Sequence, residues 1–237
     1  MRVVITGASS GIGEALARYY AKDASALGLL SRRAVDARAF SENAISYSVD
    51  VSDQPALDAA ARDFILRHGP PDLVIANAGI GTGTEGADPR DVEKLRKTLE
   101  VNVIGLAASL AAFAPAMREA GRGTLAGNGA YCASKSAAVT WMESMRAELR
   151  GSGVSVVCVC PGYIDTPMTR VNRYRMPFLM SADEAARRIA RVIAKKRRLA
   201  IIPWQMALIS VPLRLMPGWL YDRLASRAPR KPRNVPV

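Results

Sequence analysis

The 237-residue chain has one histidine, three cysteines and few aromatic residues, 6% of the total. Each shortage narrows what it can be. Cys132, Cys158 and Cys160 are an odd number for a disulfide framework and lack zinc-site spacing, so no metal site is expected. Cys158 and Cys160 stand two apart in the apolar run 154–160 and share one strand face as small core residues, which suits a reducing cytoplasm. His68, before Gly69-Pro70-Pro71, reads as an end-of-helix group and not a base. Met1-Arg2 leads straight into core-like sequence, so no signal peptide is expected. Acidic residues are scarce in one region only. Residues 1–186 balance 20 basic against 20 acidic side chains, whereas residues 187–237 hold 13 basic residues and Asp222 alone, so the excess of +12 lies in the last fifth. Such a block is a solvated helix face, or it meets an acidic partner or anionic lipid. No recognition-helix or RNA-binding pattern accompanies it, so a nucleic-acid partner is not expected.

What the chain does have is a glycine-punctuated opening. Arg2–Thr6 is a β-branched run that predicts a short buried strand. Gly7, Gly11 and Gly13 then mark a turn, and Glu14–Lys22 continues as a helix. A strand that stops at glycines and re-enters a helix aims helix N–H groups at one point, and the missing side chains let a pyrophosphate approach the backbone. Further strands are predicted at Ala26–Ser31, Ile45–Val49, Asp72–Ala76, Val154–Cys160 and Leu199–Ile202. Helical patterns alternate with them, at Asp53–His68, Pro89–Met117 (interrupted near Gly105 and Pro115), Ala130–Arg150 and Ala182–Lys196. This alternation predicts a parallel, doubly wound sheet with helices on both faces. Ser31-Arg32-Arg33 ends the second strand, where an acid would bind a ribose 2′-hydroxyl and arginine accommodates a 2′-phosphate. Tyr131 and Lys135, four apart, share a helix face. An ordinary phenol titrates near ~10; a nearby ammonium lowers that and makes tyrosine a usable acid or base.

Thr6-Gly7-Ala8-Ser9-Ser10-Gly11-Ile12-Gly13, Asn77-Ala78-Gly79, Asn102, Tyr131-Cys132-Ala133-Ser134-Lys135 and Pro161-Gly162 with Thr166 occur in one order over residues 1 to about 170. In this the chain resembles the short-chain dehydrogenase/reductase family. The resemblance implies a Rossmann-like single domain with strand order 3-2-1-4-5-6-7. It implies hydride transfer between NADP(H) and a carbonyl or alcohol carbon, with Tyr131 as proton donor or acceptor. Lys135 lowers its pKa and holds the nicotinamide ribose, and Asn102 orders a water in a proton relay. Cofactor contacts are implied for Gly7, Ser9, Ser10, Gly11, Ile12, Gly13, Arg32, Arg33, Asp50, Val51, Asn77, Ala78, Gly79, Tyr131, Lys135, Pro161, Gly162, Ile164 and Thr166. Asp50 is equally readable as a turn or cap residue. Family members usually pair through the helices around Asn102 and Tyr131, so a homodimer or homotetramer is expected.

One piece is missing. Between Thr124–Ala126 and Tyr131 the apolar run is too short for a central strand of about five or six residues. Family members end that strand in a serine, and no serine occurs between Ser109 and Ser134. About a dozen residues are lacking by comparison with a strand plus active-site loop. Either the chain truly lacks them, or a mobile loop belongs there that these residues do not include. The second is the expectation, because a central strand cut short would lose ladder bonds and core area. A true deletion would favour a non-catalytic, nucleotide-binding member.

Residues 1–202 are thus the expected catalytic domain, with a substrate lid at 165–182. The lid's Met168–Met180 stretch mixes methionine, aromatics and proline, which suggests an apolar small-molecule substrate, with Arg170, Arg173 or Arg175 available to an anionic group. Residues 203–226 form an apolar extension and 227–237 a basic tail expected to be disordered. The uncharged stretch 199–213 is 15 residues, short of the about 20 that span a bilayer. It covers the substrate mouth, packs in an oligomer or lies on a membrane surface.

Overall fold

A computed structural model describes residues 1–81, 88–128, 132–172, 174–208, 217 and 220, with Asn128, Cys132, Ala133 and Lys135 placed by their backbone alone. The strands are β1 (Arg2–Thr6), β2 (Ala26–Ser31), β3 (Ala44–Ser48), β4 (Leu73–Ala76), β5 (Gly123–Asn128), β6 (Val154–Pro161), β7 (Ile164–Asp165), β8 (Met180–Ser181) and β9 (Leu199–Ile202). Seven of them form one parallel sheet in the order β3-β2-β1-β4-β5-β6-β9, which is the predicted order with β9 as the seventh strand. β7 and β8 pair separately.

Parallel strands covered on both faces need apolar residues at every position, not alternate ones. Accordingly β2 and β4 are buried along their whole length. Val3 and Ile5 point to one face, where helices α1 (Gly11–Tyr20) and α8 (Ala182–Ala194) lay down Leu16, Ala17, Ile189 and Ile193. Val4 points to the other, against α2 (Gln54–His68), α4 (Gly105–Ala111) and α6 (Cys132–Glu148), with Phe64, Leu110, Phe113 and Met142. The helical stretch 89–119 is long and apolar enough to cross a membrane by composition. Here it is divided into α3 (Val92–Leu99), a π-turn (Glu100–Ile104), α4 and α5 (Ala114–Glu119), and Leu106, Leu110 and Phe113 are core residues.

The fifth strand corrects the sequence reading. β5 is six residues long and pairs with β6 at every one, from Gly123 with Val154 to Asn128 with Val159. It also pairs with β4 from Thr124 to Gly127. Glycine and asparagine are poor strand residues, but two flanking ladders override local propensity. The glycines serve packing: a Cβ on Gly123 would lie 2.2 Å from Met117 Cε, and one on Gly127 3.0 Å from Met142 Sδ and 3.3 Å from Leu106 Cδ1. Small residues let α4, α5 and α6 come close to the sheet. The shortfall is therefore not in the strand. It is confined to the link from Asn128 to Cys132, whose three residues, Gly129, Ala130 and Tyr131, lie outside the described ones. The lost ladder that argued against a deletion does not arise.

Smaller differences have local causes. Helix α1 starts at Gly11 and not Glu14, because the chain is extended at Ser10 (φ −168°) and turns helical from Gly11 on. β3 sits one residue earlier than predicted, set by the pairing of Ala44 with Leu27 and Ser48 with Ser31. β4 starts at Leu73, because Asp72 is given over to ion pairs.

Asp72 ties the amino ends of three central strands together. It accepts from the Arg2 backbone N–H at 2.8 Å and from the Arg2 and Arg122 guanidiniums at 3.0 and 2.9 Å. Arg2 also donates to the His68 carbonyl at 3.1 Å, holding the end of α2, where the His68 ring rests on Phe64. Burial pushes the Asp72 carboxyl up, but hydrogen bonds from the Arg2 side chain and backbone and the charges of Arg2 and Arg122 outweigh it, so it lies below the usual range. A depressed folded value means stability that is present above the ordinary carboxylate value of about 3.9 and is lost as pH falls through the folded one. Asp72→Asn should cost about 1–2 kcal/mol at neutral pH, a fall of about 2–8 °C in melting temperature. The gap from wild type should close as thermal melts are moved into the acid range; a gap independent of pH would refute this role.

Candidate active site

The predicted residues gather at the carboxyl ends of β1, β2, β4 and β6, where open α/β sheets bind ligands. The junction between the first and fourth strands is built by close contact. Gly7 (φ +70°) has no room for a side chain, since a Cβ would lie 2.8 Å from Ala78 Cα. On Gly13 it would lie 2.1 Å from the Gly7 carbonyl oxygen and 2.6 Å from Asn77 Nδ2. Thr6, fully buried, accepts the backbone N–H groups of Asn77 and Ala78 on its hydroxyl, each at 3.1 Å, while Asn77 Nδ2 donates to the Thr6 carbonyl at 3.1 Å. Asn77 thus ties the two strands together. Ser10 makes no side-chain capping bond, which leaves the first-turn N–H groups of α1, at Gly11, Ile12 and Gly13, uncapped by it. Glycines without side chains before such a helix start form a cradle for a pyrophosphate.

At the end of β2, Arg33 Nη2 donates to Ser9 Oγ at 3.3 Å, and the Arg33 carbonyl is held by the Ser31 hydroxyl at 2.6 Å. The Arg32 carbonyl accepts from Ser48 Oγ at 3.1 Å. The Arg33 guanidinium and the Ser9 hydroxyl therefore meet at the glycine turn. Asp50 works as a turn residue: one carboxylate oxygen takes the N–H and O–H of Ser52 at 3.0 and 2.7 Å. Burial raises its pKa, but those bonds and the charges of Arg32 and Lys97 bring it below the ordinary value. Val51, the next residue, is buried with Ile80 and Val101.

Asn102, 1% exposed, lies in the π-turn. Its Oδ1 accepts from the Ile80 N–H at 2.8 Å and its Nδ2 donates to the Ile80 carbonyl at 2.9 Å. This two-way bond fixes the chain just after Asn77-Ala78-Gly79. Sequence reasoning found Asn102 but missed the π-turn and the bond to Ile80. Gly105 was the available signal: a Cβ there would meet Val51 Cγ2 at 2.6 Å, so only glycine lets the π-turn approach. Irregular helix turns of this kind concentrate at functional sites.

Pro161-Gly162 ends β6. The Gly162 N–H donates to the Ile202 carbonyl at 2.7 Å. Thr166, nearly buried, caps helix α7 (Pro167–Arg170) in a reciprocal arrangement with Thr169, and Thr169 Oγ1 also donates to the Ile164 carbonyl. A Cβ on Gly11 (φ +60°) would lie 3.1 Å from Thr166 Cγ2, so the glycine turn and the Pro-Gly loop meet. Of the lid arginines, Arg170 is paired with Asp165 at 2.7 Å and Arg175 is exposed; Arg173 lies outside the described residues. Tyr131 also lies outside them, and Lys135 is placed by its backbone in the first turn of α6, which follows the carboxyl end of β5. Cys158 is buried and Cys160 half-buried; bonding to Cys160 and burial hold the Cys158 thiol well above its ordinary value, so it is an inert core group.

Comparison with known proteins gives this geometry a family. The family model for short chain dehydrogenases matches residues 1–176. An uncharacterized oxidoreductase of Myxococcus xanthus (strain DK1622) is 35% identical over 244 residues, covering 94% of this chain and 96% of the relative. Among solved structures, a 3-ketoacyl-ACP reductase from Sinorhizobium meliloti 1021 superposes with a TM-score of 0.75 at 25% identity, covering 85% of this chain and 96% of that one. An alcohol dehydrogenase from the archaeon Thermococcus sibiricus, complexed with 5-hydroxy-NADP, gives 0.73 at 27% identity, covering 85% and 95%. The glycine cradle, the strand order and the matched motifs converge: the chain belongs to the short-chain dehydrogenase family of oxidoreductases.

Proposed function

We propose that the protein is an NADP(H)-dependent reductase or dehydrogenase acting on the carbonyl or alcohol carbon of an apolar small molecule. The observation that carries the cofactor choice is the end of β2, where Arg33 reaches Ser9 across the glycine turn beside Arg32 and no acid stands among residues 31–33. A planar, permanently charged guanidinium suits a 2′-phosphate dianion far better than a bare 2′-hydroxyl, which an acid would hold. The archaeal relative's 5-hydroxy-NADP is in line with this.

When bound, the nicotinamide supplies or takes up the hydride. This chain's residues do the rest. Gly7, Gly11 and Gly13 would admit the pyrophosphate, and Thr166 with the Ile164 backbone would orient the carboxamide. Tyr131 gives its phenolic proton to the substrate oxygen in reduction and takes one from the hydroxyl in oxidation. The Lys135 ammonium, four residues along the chain, brings the phenol into the usable range. Both amide atoms of Asn102 are bonded to Ile80, so its part in a proton relay falls to the main-chain carbonyl. In this reading the protein works in the cytoplasm as a homodimer or homotetramer, pairing through the helices near Asn102, where Val92, Leu95 and Ile104 stand exposed.

One observation favours a second reading. The three-residue link between β5 and α6 carries no serine to bind the substrate oxygen, as a non-catalytic nucleotide-binding member would have it. Turnover decides between them. Wild-type protein should oxidise NADPH with some member of a panel of apolar ketones and aldehydes, and Tyr131→Phe should lower that rate by about 10²–10⁴-fold while NADPH affinity stays within about twofold. Tight NADPH binding with no turnover across the panel establishes the second reading; full activity in the variant removes Tyr131 from the chemistry. For the cofactor, Arg33→Ala should weaken NADPH binding by about 10–100-fold, the size of one or two lost charge-assisted bonds, and leave NADH binding nearly unchanged. Titration showing an equal loss for both would refute the phosphate assignment.

A further inference from the structure

The loop that follows β6 contains a pair of hydroxyls whose protons can be placed by counting. Thr169 Oγ1 stands between two backbone carbonyls, that of Ile164 at 2.5 Å and that of Thr166 at 3.1 Å. The same oxygen accepts the Thr166 N–H at 3.0 Å and lies 3.2 Å from Thr166 Oγ1. A hydroxyl has one proton and two lone pairs, whereas a carbonyl oxygen only accepts. The Thr169 proton therefore goes to a carbonyl; turned toward Thr166 Oγ1, it would leave two carbonyl oxygens facing lone pairs. One Thr169 lone pair takes the Thr166 N–H, and the other faces the Thr166 hydroxyl. The contact between the two hydroxyls thus has a direction: Thr166 donates and Thr169 accepts.

This direction decides what Thr166 can offer a ligand. Its proton is committed within the loop, so its oxygen presents lone pairs alone. The side chain is also held against turning. Thr166 is 9% exposed, and its methyl lies against the glycine turn, where a Cβ on Gly11 would come within 3.1 Å of Cγ2. With the methyl on Gly11 and the hydroxyl on Thr169, both groups on the Thr166 Cβ are fixed, and a β-branched side chain is stiff at χ1 to begin with. A threonine hydroxyl without such a partner turns to donate or to accept, and meets either end of a carboxamide equally well. An oxygen that can only accept meets the nitrogen.

We infer that Thr169 is a positioning residue: by accepting the Thr166 proton, it makes Thr166 select the amide nitrogen of a carboxamide over a carbonyl oxygen. The inference rests on the NADP(H) reading, in which the nicotinamide carboxamide meets Thr166. The test is calorimetric titration of the full chain, without substrate, with three ligands. These are NADPH, its reduced 3-acetylpyridine analogue, in which a methyl replaces the amide nitrogen, and 2′-phospho-ADP-ribose, which lacks the ring. Wild type should prefer NADPH to the analogue by about fivefold or more, the size of one neutral hydrogen bond. Thr169→Val lets the Thr166 hydroxyl turn and donate to the acetyl carbonyl, so the preference should fall to about twofold or less. Thr169→Ser keeps the hydroxyl and should keep the preference, and 2′-phospho-ADP-ribose should bind all of them alike. Should Thr169→Val melt early, Thr166→Val carries the same readout. It keeps the methyl on Gly11 and should lower NADPH affinity about fivefold while leaving that of the analogue unchanged. A wild type without the preference, its persistence in folded Thr169→Val, or an equal loss of both ligands in Thr166→Val overturns the inference and leaves the cofactor reading standing. Failure of wild type to bind any of the three ligands overturns the cofactor reading, and the inference with it.

Discussion

The junction of Thr6, Gly7, Gly13 and Asn77 is the constraint on which the rest depends. Two neighbouring parallel strands, β1 and β4, must end at the same level and then turn past each other with almost no space between. Glycine at positions 7 and 13 removes the atoms that would collide with Ala78 and with the Gly7 carbonyl. The Thr6 hydroxyl and the Asn77 amide then satisfy the backbone groups that the ending strands leave unpaired. Buried backbone groups need partners, so a polar threonine inside an otherwise apolar strand stabilises this junction where valine of the same shape would not. Once the junction is made, α1 can only start where it does, and its first turn faces the crevice.

Asn102 repeats this logic on the far side of the crevice. The chain after Gly79 has no strand partner for Ile80, and the Asn102 amide supplies both a donor and an acceptor in place of one. A regular helix would not carry Asn102 to that point while packing Gly105 on Val51; the wider π-turn does. Thr6, Asn77 and Asn102 are thus side chains standing in for missing ladder bonds at the place where the sheet opens to a ligand.

How much of this was legible in the sequence follows from the same physics. β1, β2 and β9 were read with their observed ends, because short apolar runs bounded by glycine, proline or charge have few alternatives. The glycine turn was legible because only glycine tolerates φ of +60 to +70° before a helix. β5 was misread because its last two residues are strand only by virtue of their neighbours, Gly127 between β4 and β6 and Asn128 against β6, which local sequence does not display. The Asn102–Ile80 bond and the Arg33–Ser9 contact were invisible for the same reason: each joins positions more than twenty residues apart.

The two ends of the sheet are built by opposite rules. At the amino end, Asp72 is surrounded by Arg2 and Arg122, so charges there are matched and serve stability. At the carboxyl end, Arg33 donates to the Ser9 hydroxyl of the glycine turn, and the charges of Arg32 and Lys97 act on Asp50, whose carboxylate closes a turn with Ser52. The charges at one end hold strands together; at the other, a guanidinium stands beside the glycine turn. The short β5–α6 link lies off the glycine turn, which is built on β1, β2 and β4.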